Sequence, residues 1–80
     1  MYAMGPHPTY GIVLVPSVSH ALRAEAIVRA TGIPCKLIPT PRQLSSDCGT
    51  SLRVPWSEGE RVLEALEKAG VEHGGIFQAF

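Results

Sequence analysis

The sequence predicts an α+β domain of order βαββαβ, a four-stranded antiparallel sheet with two helices on one face, and three observations predict it. Short apolar runs rich in β-branched residues alternate with two stretches of helical period. Glycines and prolines punctuate the joints between them. The length of 80 residues leaves room for one core. Two βαβ-type units of this size form the ferredoxin-like arrangement, with strand order 4-1-3-2.

Each element has its own warrant. Residues 1–9 hold Gly5, Pro6 and Pro8 without periodicity and read as a flexible N-terminal arm, which leaves 10–80 as the single domain. Residues 10–15 are an apolar run stopped by Pro16, the pattern of a central strand. Ser17 and Ser19 offer N-caps to a first helix with Ala21, Ala24, Ile27, Val28 and Thr31 on one side, and Gly32 and Pro34 end it. Residues 33–38 alternate, and Pro34 assigns that strand to an edge. Residues 51–54 alternate again, with Leu52 and Val54 facing one way and Arg53 the other. Ser57-Glu58-Gly59-Glu60 matches a capping box ahead of Val62, Leu63, Leu66 and Ala69, with Trp56 as a staple and Gly70 as the stop. Residues 71–80 complete the sheet, with Ile76 and Phe77 as packing residues.

Composition narrows the function. Apolar residues make up 45% and charged residues 18%, a globular balance, while seven basic and seven acidic residues cancel and argue against nucleic-acid binding. No apolar run approaches the ~20 residues needed to cross a bilayer, and no basic leader with a long apolar segment opens the chain, so a soluble cytoplasmic protein is expected. The two cysteines, Cys35 and Cys48, are too few for a disulfide scaffold and wrongly spaced for a Cys-x-x-Cys motif. His7, His20 and His73 lack metal-ligand spacing, so neither a metal nor another cofactor is implied. Strand one is apolar throughout, so its residues on the helix-free face call for cover, most simply from a homodimer through that face.

The chemistry concentrates in residues 39–50, a long polar connection for so small a domain. Topology sets it at the sheet end where the first helix begins, beside Ser19 and His20, and the helix dipole there favours a thiolate on Cys48. Gly49 leaves room for a partner to reach the sulfur. Arg42 and Arg53 can stabilise an anion near it, whereas Asp47 opposes thiolate formation. Ser45 and Ser46 suit backbone hydrogen bonding or an anion nest, since no Gly-x-Ser-x-Gly elbow is present. Cys35 is read as a buried, inert thiol facing the helices with Ile33 and Leu37.

Pro16-Ser17-Val18-Ser19-His20-Ala21-Leu22-Arg23-Ala24-Glu25, the stretch Gly32-Ile33-Pro34-Cys35-Lys36-Leu37-Ile38, and above all Thr40-Pro41-Arg42 with Ser45-Ser46-Asp47-Cys48-Gly49 resemble a small bacterial family described as putative selenium/sulfur carrier protein-like. The resemblance implies that Cys48 is the working residue and that Arg42, Ser45, Ser46 and Gly49 shape its loop. The Cys-Pro-x-Pro motif of better-known sulfur carriers is absent. A carrier that accepts and donates a persulfide or perselenide through Cys48, between donor and acceptor proteins, needs an exposed thiol and no deep pocket, which suits this length better than a stand-alone enzyme. The alternative is a small-anion binding or regulatory module acting through dimerisation, with Cys48 chemically silent.

Overall fold

A computed structural model describes residues 9–44 and 49–79. Its elements are β1 (Tyr10–Val13), α1 (Val18–Ala30), β2 (Lys36–Pro39), β3 (Thr50–Pro55), α2 (Gly59–Lys68) and β4 (Ile76–Ala79), with a 3-10 turn at Trp56–Glu58 before α2. The strands run β2-β3-β1-β4, every pairing antiparallel, which is the expected order viewed from the opposite edge.

Capping chemistry sets the helix ends. Ser17 is extended, and its hydroxyl accepts the His20 amide, which satisfies one orphan donor of α1. At the far end Gly32 takes φ 85°, and its amide donates to the Arg29 carbonyl at 3.0 Å. α2 closes with a full Schellman pair: Gly70, at φ 71°, donates to Glu67 at 3.1 Å, and Val71 donates to Leu66 at 2.9 Å. Arg23 of α1 donates to the Ala69 carbonyl at 3.1 Å, placing a cation at the negative end of α2.

The start of α2 differs from the capping-box expectation. Ser57 lies inside the 3-10 turn, and Glu58 is the N-cap without a side-chain bond to the helix amides. The turn wins because extended Pro55 forces the chain to reverse at once, while the Trp56 amide is already committed to the Thr9 carbonyl at 3.0 Å. β4 also starts later than the sequence suggested. Gly74 and Gly75 pair with Leu14 outside the regular ladder, so the strand begins only at Ile76.

Alternation in the strands divides the sheet into two faces. Val13, Leu52 and Val54 join Ala21, Ala24 and Val28 of α1 and Val62 and Leu66 of α2 in one buried cluster, so both helices cover the same face. Gly11 is needed there: a Cβ on it would stand 2.6 Å from Ile76 Cδ1 and 3.2 Å from Trp56 Cε3. Ile76 therefore wedges between Gly11 and Gly59 and seats the start of α2 on the sheet.

On the helix-free face the register sets Ile12 between Arg53 and Phe77. Ile12 is only 2% exposed within a single chain, so this one of the strand-one residues already has cover, while Leu14 is partly exposed. Phe77, expected to pack, is 41% exposed because it lies on that same helix-free face in the edge strand β4, with a neighbouring strand on one side only, whereas Ile12 has one on each side. Among the described residues no helix is long and apolar enough to cross a membrane.

Candidate functional site

The β2–β3 connection is anchored at its stem. Pro39 pairs with Thr50, the Thr40 amide donates to the Gly49 carbonyl at 2.9 Å, and the Thr40 hydroxyl bonds the Ser51 hydroxyl at 2.6 Å. Ser51 is completely buried, so this polar pair is locked beneath the connection. Above it, the Leu44 amide donates to the Pro41 carbonyl at 3.0 Å, a turn that presents Arg42 and Gln43 to solvent. Ser45, Ser46 and Cys48 lie outside the described residues; Leu44 and Gly49 bracket them.

The register shows which end of the sheet this is. Val13, the last residue of β1, pairs with Leu52 just after the start of β3, so Thr40, Arg42 and Gly49 share the end from which α1 departs. Ser19 and His20 are in the first turn of α1, Ser19 exposed and His20 half-buried. Ser17 Oγ lies 2.7 Å from His20 Nδ1 while accepting the His20 amide at 3.3 Å. The hydroxyl therefore holds the imidazole and the backbone of His20 together at the start of α1.

Arg53 is held elsewhere. Its guanidinium lies over the Tyr10 ring, 4.4 Å from the centroid, and so reaches toward the beginning of β1 and away from the β2–β3 connection. His73, which sequence spacing set aside, shares the α1 end of the sheet, because Gly74 and Gly75 pair with Leu14. Its Nδ1 accepts the Gly75 amide at 3.0 Å, and its Nε2 stands 3.5 Å from Glu67. Only the antiparallel return of β4 brings that histidine to this end, a pairing that local sequence patterns do not carry.

A family model described as putative Se/S carrier protein-like matches residues 10–78, from the first residue of β1 into β4. The chain belongs to that family. No curated protein and no solved structure matches it.

In this member of the putative Se/S carrier protein-like family one thiol, Cys35, is among the described residues. Cys35 precedes β2, half-buried against the core, with its Sγ 3.8 Å from the Glu25 carbonyl. Burial pushes its pKa above the ordinary thiol value; nearby Arg29 pulls it down and Glu25 adds to the rise, and desolvation prevails. Fewer thiolates at a given pH mean slower attack, so iodoacetamide at pH 8 should alkylate Cys35 more slowly in the folded protein than in urea. A folded rate equal to the unfolded one would contradict this.

Proposed function

We propose that this protein carries sulfur or selenium on Cys48. The Cys48 thiolate attacks the terminal sulfur of a donor persulfide, a new S–S bond forms, and the donor's S–S bond breaks. The donor thiolate leaves with the electron pair, and Cys48 becomes a persulfide. An acceptor thiolate then repeats the exchange and restores the Cys48 thiolate, so no external oxidant or reductant is consumed. Selenium follows the same path when the donor presents a terminal selenium. The partners are the proteins that bear the donor and acceptor thiols.

The family match over residues 10–78 carries the reading. Two features of the fold support it. Gly49, the sequence neighbour of Cys48, is at the sheet end that also holds the first turn of α1, where the helix dipole favours an anion. Cys35, the competing thiol, is half-buried and has a raised pKa, which keeps less of it in the reactive thiolate form.

Intact-mass measurement after incubation with cysteine persulfide tests the proposal. The wild type and Cys35→Ser should each gain about one sulfur, and Cys48→Ser should gain none. Removal of the added mass by a thiol acceptor should follow. Label on Cys35, or no label on either cysteine, would defeat the carrier reading in favour of an anion-binding module with a silent Cys48.

A further inference from the structure

We propose that the helix-free face of the sheet holds a second site, for a small organic carboxylate with an apolar body, bound between Lys36 and Arg53. The four strands contain no charged residues other than these two, and both are basic. The β2–β3 register sets them directly opposite each other, an arrangement that costs stability because like charges face across the ladder. Among the described residues neither has a carboxylate partner: the ion pairs join Glu25, Glu58 and Glu64 to other groups, and Glu67 stands beside His73. A bound anion would relieve the repulsion that the fold leaves in place.

The surroundings define what kind of anion fits. The Tyr10 ring holds the Arg53 guanidinium carbon 4.4 Å from its centroid, and a guanidinium held over a ring in this way can offer N–H groups for a two-point grip on a carboxylate. Beside the pair lies a hollow of about 500 Å³, lined among others by Tyr10, Pro34, Lys36, Arg53 and Pro55. That volume is typical of small-molecule sites, which combine apolar walls with a few polar groups. Pro34, Val54 and Pro55 supply apolar wall, and Thr9 and Cys35 also line the hollow beside the charged pair. Tyr10 opens β1, whereas the β2–β3 connection lies beyond its other end, so this site stands apart from Cys48 chemistry.

Amide-resolved NMR titration with benzoate tests it, with benzamide as the uncharged match and inorganic phosphate as charge without an apolar body. Benzoate should produce saturable shifts at Tyr10, Lys36 and Arg53; phosphate should act on the same residues more weakly, and benzamide should leave them unmoved. Lys36→Gln and Arg53→Gln should each weaken benzoate about tenfold, the loss of one charged hydrogen-bond partner. Lys36 is exposed, so its variant tests the site even if Arg53→Gln disturbs folding through Tyr10. Absence of a saturable benzoate response, an equal response to benzamide, or unchanged affinity in Lys36→Gln would overturn the proposal. So would concentration-dependent shifts, before any benzoate is added, that link Lys36 and Arg53 to Glu60, Glu64 and Glu67, because a second copy would then occupy the pair.

Discussion

Leu52→Ala should destabilise the domain by about 3 kcal/mol, the middle of the range for emptying a fully buried leucine site. Leu52 is completely buried in β3, pairs with Val13 on one side and Leu37 on the other, and belongs to the cluster that joins both helices to the sheet. None of these neighbours can leave its ladder to fill the gap, so the cavity term adds to the lost transfer energy. A domain of this length has a total stability on the order of 5 kcal/mol, so more than half would disappear. Urea titration followed by circular dichroism should show the midpoint falling by roughly 2–3 M. Leu22→Ala is the control: Leu22 is 53% exposed on α1, and its loss should cost less than about 0.5 kcal/mol. Equal midpoints for the two variants would mean that the core is organised differently.

Thr40→Val should cost about 1–2 kcal/mol, although valine nearly matches threonine in shape. The cost comes from the partner. Ser51 is completely buried, and its hydroxyl bonds the Thr40 hydroxyl at 2.6 Å, so the variant leaves a buried polar group without that bond. A double-mutant cycle separates this from simple loss of packing. Ser51→Ala introduced into Thr40→Val should cost less than it does in the wild type, with a coupling of about 1 kcal/mol. Additive effects would show that the pair contributes nothing of its own. Since the same Thr40 closes the stem of the β2–β3 connection through the Gly49 carbonyl, faster amide exchange at Gly49 and Thr50 should accompany the loss.

Much of the architecture was legible from local chemistry. Ser17 as a cap, Gly32 and Gly70 as helix stops, and the opposed orientation of Arg53 against Leu52 and Val54 each depend on a few neighbouring residues. The failures occurred where distant segments compete. The Ser57 capping box yielded to a 3-10 turn because Thr9 and Pro55 constrain the Trp56 backbone from outside the helix. Cys35 was expected to be buried facing the helices; it packs against the core but is only half-buried, because it precedes the edge strand β2, which has a neighbour on one side only. Of the candidate site, Arg42, Gly49, Ser19 and His20 share the sheet end that topology indicated, while Arg53 turns toward Tyr10, a contact that no sequence spacing announces.

Periodicity, capping residues and chain length by themselves determined the element order and the strand topology, because these depend on short-range preferences and on how few ways two βαβ-type units can close, while the family was legible only in the particular segments around Thr40-Pro41-Arg42 and Ser45-Ser46-Asp47-Cys48-Gly49. Only the tertiary structure decided how far each apolar residue is covered, how far Cys35 is shielded and that Lys36 faces Arg53. Those properties depend on register, and a strand displaced by one residue would turn every side chain to the other face.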